Sequence, residues 1–350
     1  LKFNIIQPGS YNVAIRHRNH LGAMTKETKV LTEDPGNSKI DFTRPNRVTD
    51  IFNESYGWED LDRDGKVVIC HDNSDLEVLT SAIVYHKSHG DICGPCGDFA
   101  TVSHGNWNDP SIWLNGNVPP TYIQNKNVRI MHTVTTSSQI KVGTGSVLWI
   151  ENGGLIIQNN DLFLYGGLAY VLNSNLTIGN DLKIQTINQG DTKLMMKGGT
   201  LDIQNEYHNG YQTESYLENL CVNVGNRYLV NGDEFHKNIC VNVANNGFFA
   251  SSQAELELVD SKLHLVSGTF RNEGLITGNI PGIWIEKGNL ENTGNWQASI
   301  NRYCLSGNLT GIPTGSIPNF QSCDLIEAIL AGQNCEIIDP TTLGADPLEE

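Results

Sequence analysis

From about residue 100 onward the chain reads as short apolar stretches separated by Gly and Asn, without a helical period. "GSVLWIENGGLIIQNNDLFLYGG", "TKLMMKGGTLDIQN" and "GIWIEKGNLENTGNW" are typical. An imperfect repeat runs through them. "GGLIIQN" (153–159) is echoed by "GGTLDIQN" (198–205), and "ENLCVNVGN" (218–226) by "KNICVNVANN" (237–246). Strands of three to five residues recurring at intervals of roughly 20 residues are what a parallel β-helix needs. Leu, Ile and Val would stack down its interior, and Gly and Asn would turn its corners, where φ > 0 is often required. The predicted fold is therefore all-β, a right-handed parallel β-helix. The structural alternative is a β-sandwich or jelly roll, which would use longer alternating strands and hairpin turns.

The first hundred residues have a different texture. In "YNVAIRHRNHLGAMT" (11–25) Tyr11, Val13 and Ile15 fall on one face of a strand, with Asn12, Arg16 and Arg18 on the other. The Arg/His run then reads as the charged outer face of a wall-forming strand rather than as a catalytic cluster. Residues 33–57 read as irregular connection. Leu76, Leu79, Ala82 and Ile83 recur at helical spacing, which predicts one short helix over about 74–86. "HGDICGPCGD" (89–98) marks a boundary. The expected organisation is a small β-rich module over 1–98, a β-helical repeat domain over 99–335, and an acidic linker over 336–350.

Charge narrows the partners. The 350 residues carry a formal net charge of −16. Such a surface repels phosphate backbones and anionic membranes, which argues against nucleic acid and for divalent cations or neutral polymers such as glycans. No apolar run of 18 residues is present, so no transmembrane helix and no membrane insertion is expected. The opening "LKFNIIQPGS" is strand-like and lacks an initiator Met, as expected of a piece of a longer polypeptide joined to flanking domains.

The sharpest local motif is Asp60-Leu-Asp62-Arg-Asp64-Gly65-Lys66. Carboxylates at alternate positions followed by Gly match the opening of a calcium loop. Asp60, Asp62 and Asp64 would face one hard cation, and the Lys66 carbonyl would complete that side. His71 stands at the twelfth position where a carboxylate should close the site, so Asp72 is the expected substitute through a slightly longer loop. Calcium is the expected cofactor.

Eight cysteines allow a full disulfide set in an oxidising compartment. Cys93 and Cys96 have CxxC spacing, but no second such pair exists for zinc, so structural disulfides are the better reading. Cys221 and Cys240, in equivalent repeat positions, either pair across neighbouring coils or remain core cysteines. Cys304 and Cys323 complete the disulfide candidates. In "HGNWNDPSIWLNGNVPP" (104–120), Trp107 and Trp113 lie among Gly and Asn. Exposed, they would stack on sugar rings as ligand-binding residues; buried, they would cap the open end of the repeat domain. Glu255 and Glu257 share the outer face of one strand, with Asp260 and Lys262 at the next corner. No GxSxG, P-loop, Rossmann fingerprint or HExxH occurs, and no catalytic residue is assigned.

Three segments together resemble an arrangement found in large cell-surface or secreted proteins of Bacteroidetes. These are the "VAIRHRNHLG" stretch followed by Ile40-Asp41-Phe42-Thr43, the Asp60/Asp62/Asp64/Gly65 loop, which is dockerin-like, and "GNWNDPSIWLNGNVPP", which resembles a G8-like opening to β-helical repeats. The resemblance implies export by the type IX system and an extracellular or cell-surface location, with a C-terminal sorting domain outside this chain. Gln124-Asn125 departs from the acidic turn such proteins often carry. The expected function is a non-enzymatic, calcium-stabilised module for adhesion, glycan contact or a structural stalk. The competing expectation is a carbohydrate-active β-helix enzyme, a polysaccharide lyase or hydrolase, which would gather Asp, Lys and Arg on one outer sheet of consecutive coils.

Overall fold

The computed structural model describes five short strands between residues 9 and 50, and then residues 65–312 apart from 73, 89–90, 95, 187–191 and 302; of residues 84, 87, 88, 92 and 93 it describes the backbone alone. The chain divides into two compact units, Leu1–Cys96 and Gly97–Glu350.

The second unit is a parallel β-helix. Each coil contributes one strand to each of three sheets, as in Val147–Glu151, Gly154–Ile157 and Leu162–Tyr165. The next coil repeats the order, and every strand pairs in parallel with its counterpart one coil away. Among the described residues the three sheets hold 11, 10 and 10 strands. Ten strands at ladder spacing give a stack roughly 43 Å long. Inward positions alternate with outward ones, so the interior is a column of fully buried side chains such as Leu148, Leu155, Leu176, Leu201, Val222 and Leu263.

The corners explain the asparagine clusters. Asn152, Asn173, Asn219, Asn238 and Asp260 all adopt positive φ at the corner between the first and second sheets. Asn tolerates this region because its short polar side chain can bond locally. Here it bonds to the next coil, with Asn238 Nδ2 donating to Asn219 Oδ1 at 2.8 Å. Packing at the corners is tight. A Cβ on Gly288 would lie 1.6 Å from the Gly268 carbonyl oxygen. Replacing Asn219 by Ala is expected to cost about 1–2 kcal/mol, whereas Asn219→Gly keeps the backbone conformation and loses only the ladder bond. Urea midpoints of the two variants check this, and an Ala variant no less stable than the Gly variant would refute it.

The first unit contains β1 (Gly9–Tyr11), β2 (Ala14–His17), β3 (His20–Thr25), β4 (Lys29–Leu31) and β5 (Val48–Asp50). The single strand expected across the Arg/His run is instead divided. β2 turns back on β3, with His17 paired to His20. Further on come β6 (Lys66–His71), β7 (Ser74–Leu79), α1 (Ile83–Ser88) and β8 (Ile92–Cys93).

The helix expected over 74–86 is largely absent, since 74–79 is strand β7. It pairs antiparallel with β6 from Lys66↔Leu79 to His71↔Ser74. The reason is that the chain turns back on itself between His71 and Ser74, and the antiparallel pairing this allows outweighs the apolar spacing. Asp72 has the positive φ such a turn requires. Leu76 and Leu79, taken as the helix's apolar face, are exposed, and Val78 is the buried residue of β7. A disulfide between Cys70 and Cys96 ties β6 to the end of the unit.

Candidate functional site

The structure separates the sites expected from the sequence. Asp60, Asp62 and Asp64 lie outside the described residues, as does Cys323. Lys66 and Asp72 are described, and they cannot serve one cation together. Lys66 opens strand β6 and Asp72 follows its last residue, so six residues of extended chain place them roughly 20 Å apart. Calcium ligands lie within about 2.6 Å of one ion. The Lys66 side chain is held by Glu77, 2.8 Å away on β7.

Trp107 and Trp113 are 0 % and 2 % exposed, so neither offers a ring to a sugar, and the ligand-binding role expected of them is not theirs. Their rings meet edge to face at 5.2 Å within the solenoid core. Trp107 Nε1 donates to the Pro119 carbonyl and Trp113 Nε1 to the Trp107 carbonyl. Trp107 directly follows Gly105–Asn106, the terminal strand of the second sheet. They close that end of the core. Asp109 caps the adjoining turn by accepting from Ser111 N, a bond that holds its carboxyl below the ordinary range.

The cysteines resolve in part. Cys96 pairs with Cys70 rather than with Cys93, whose side chain is outside the description. Cys221 and Cys240 do stack in register on adjacent coils. They do not pair: Cys240 is a buried free thiol, whereas Cys221 and Cys304 each belong to a separate disulfide. Burial pushes the Cys240 thiol up.

Glu255 and Glu257 are both exposed on the outside of the first sheet, as their alternation predicted. Glu214, Asp233 and Glu255 fall in register on three consecutive coils. Burial, then the charges of Glu255 and Glu214, raises the Asp233 carboxyl above its ordinary value. Lys193, one coil earlier in the same row, is engaged by Glu214 at 3.1 Å.

The third sheet carries a feature the sequence did not announce. One outward position per coil forms a continuous row: Tyr122, Lys141, Phe163, Lys183, His208, Leu229, Phe249 and Arg271. Tyr165 stands beside it, two residues from Phe163. Cations sit against rings along this row. Lys141 Nζ is 4.0 Å from the Tyr165 centroid and 4.9 Å from that of Tyr122. Lys183 lies over Phe163 and Arg271 over Phe249. Lys183 is also bonded to Asp181 at 2.5 Å, and Arg271 to Glu273 at 2.7 Å. Lys141 has no carboxylate partner among the described residues. His208 is held below its ordinary value, first by burial and then by the positive charges of Lys183 and Arg227. Tyr122 is 43 % exposed and the residues from Lys141 to Phe249 are half-buried. Only the one-coil register brings these side chains into a line, because they are about 20 residues apart in sequence.

A second cluster lies in the first unit. His71 Nδ1 is 2.8 Å from Asp91 Oδ2, and His86 Nδ1 approaches the same oxygen at 2.8 Å. Burial pushes the Asp91 carboxyl up, but the hydrogen bonds from His86 and His71 outweigh it and hold the group below its ordinary value. The Asp91 bond raises His71 against a smaller effect of burial. The signal available in the sequence was His71 itself, at the position where a calcium loop should close with a carboxylate.

No protein family, curated protein or solved structure matches the chain. Among the described residues no helix is long and apolar enough to cross a membrane.

Proposed function

We propose that the chain is a non-enzymatic surface module whose β-helix presents its third sheet to extended glycans. The observation that carries this reading is the row of half-exposed aromatic and cationic side chains in one-coil register. Strand spacing of 4.7–4.9 Å sets the step of that row, a length close to one sugar unit of an extended polysaccharide. Aromatic rings offer apolar faces to sugar C–H groups, and Lys141 offers a donor to hydroxyl or carboxylate oxygens. The Cys70–Cys96 disulfide supports an oxidising, extracellular setting, in line with the resemblance to Bacteroidetes surface proteins.

A glycan array probed with the whole chain tests this reading. Neutral or uronate-containing polysaccharides are the expected ligands. Tyr165→Ala and Lys141→Ala are each expected to weaken binding about tenfold, with unchanged thermal unfolding. Glu257→Gln, on the first sheet, is expected to leave binding intact. Absence of glycan binding, or equal binding by all three variants, would refute the proposal.

A further inference from the structure

The His71, His86 and Asp91 cluster has the make-up of a metal centre, and it is built by three separate elements. β8 pairs with β6 through Ile69↔Cys93 and Cys70↔Ile92. Continuing that register places Asp91 opposite His71. His86 comes from helix α1, and the Asp91 amide donates to the His86 carbonyl at 3.2 Å. Cys70, next to His71, is covalently fixed to Cys96. The cluster is therefore set by a strand register and a disulfide, not by free side-chain choice.

We propose that His71 Nδ1, His86 Nδ1 and the Asp91 carboxylate bind one divalent transition-metal ion, with zinc as the best match to this donor set. Each residue offers a donor atom, and these atoms all lie within 4.8 Å of one another. A tetrahedral zinc ion with bonds near 2.0–2.2 Å needs donors roughly 3.4 Å apart. Both Nδ1 atoms already meet at one Asp91 oxygen, so an ion replacing the two ring protons requires little movement. The rings are edge to face at 5.4 Å, which leaves their nitrogens converging rather than stacked.

Exposure points the same way. The His86 and Asp91 side chains are 11 % and 7 % exposed, while His71 is 39 % exposed. Two ligands are sheltered and one side is open, which gives an entry path and room for a fourth, solvent ligand. Two imidazoles select against calcium, which takes oxygen donors. Its ligands are other than Asp60, Asp62 and Asp64, and it is independent of the glycan reading.

The test uses the whole chain with its disulfide intact, stripped with chelator and titrated with Zn2+ by calorimetry and with Co2+ by absorption. One ion per chain is expected at this site, with a Co2+ d–d spectrum of mixed nitrogen and oxygen ligation. Asp91→Asn and His71→Ala are each expected to weaken Zn2+ binding by at least about a hundredfold. His71 is the most exposed of the three, so His71→Ala keeps the test readable should Asp91→Asn fail to fold. No saturable Zn2+ uptake would overturn the proposal and leave a hydrogen-bonded His–Asp–His cluster. Equal Zn2+ binding by His71→Ala, or displacement of the ion by equimolar Ca2+, would overturn it too.

Discussion

Truncating Phe248 to alanine is expected to destabilise the β-helix by about 3–5 kcal/mol, read as a shift in the urea midpoint. Phe248 is fully buried at the centre of an aromatic column inside the third sheet. Tyr207 stacks on Tyr228 at 4.2 Å, Tyr228 on Phe248 at 4.6 Å, and Phe248 on Phe270 at 4.8 Å. The column ends edge-on against Trp296 at 5.9 Å. Each step is one coil, so the register that pairs the backbones also sets the ring spacing. Removing the central ring leaves a cavity that the neighbouring coils cannot close, because their strands are held by ladders on both sides. It also deletes two ring–ring contacts, each worth about 0.5–1.5 kcal/mol beyond burial. Phe248→Leu fills most of the space and should cost markedly less. Combined with Phe270→Ala, the effects should not add, since the two rings share a contact. A Phe248→Ala variant within 1 kcal/mol of the parent would show that the column is not what holds these coils together.

Glu234→Ala is expected to cost a similar amount, on the order of 3–5 kcal/mol, for a different reason. Glu234 and His236 point into the solenoid, and both side chains are fully buried. Glu234 Oε1 accepts from Tyr228 and lies 2.5 Å from His236 Nε2, while Oε2 is 3.3 Å from Asn209 Nδ2. Tyr228 Oη is also 3.1 Å from His236 Nε2. Burial, and then the nearby Glu234, pushes the Tyr228 phenol well up, so it stays protonated and donates. Deleting the carboxyl leaves the buried phenol and imidazole only each other and takes an acceptor from the Asn209 amide, in a layer where His236 Nδ1 already lacks a partner. The companion experiment is the triple variant Glu234→Leu, His236→Leu, Tyr228→Phe. An apolar layer leaves nothing unpaired, so most of the lost stability should return. If the single variant is neutral, or the triple is worse than the single, the Glu234 carboxylate is not what satisfies this cluster.

The repeat region was legible because its signals are local. Corner residues must tolerate positive φ, and the strands between them must alternate, so Asn219, Asn238 and Leu201 announce their positions from neighbouring residues alone. The hairpin of β6 and β7 is equally local, but the apolar spacing of Leu76, Leu79 and Ile83 competes with it. A six-residue window fits both periods, and the pairing with β6 decides between them. Trp107 and Trp113 show the same limit. Their spacing fits a sugar platform as well as a cap, and burial separates the two.

By itself, then, the sequence determined the coil: its length, its corners, the alternation of inside and outside, and an acidic surface. It could not say which coil's residue stands over which. Register across coils joins positions about 20 residues apart, and a slip of one residue would reverse every side chain. The aromatic column, the buried Glu234–His236 layer, the Tyr122–Lys141–Tyr165 surface and the His71–His86–Asp91 centre all depend on that register or on antiparallel pairing. Tertiary structure decided them, because strand pairing acts between segments whose proximity no local pattern records.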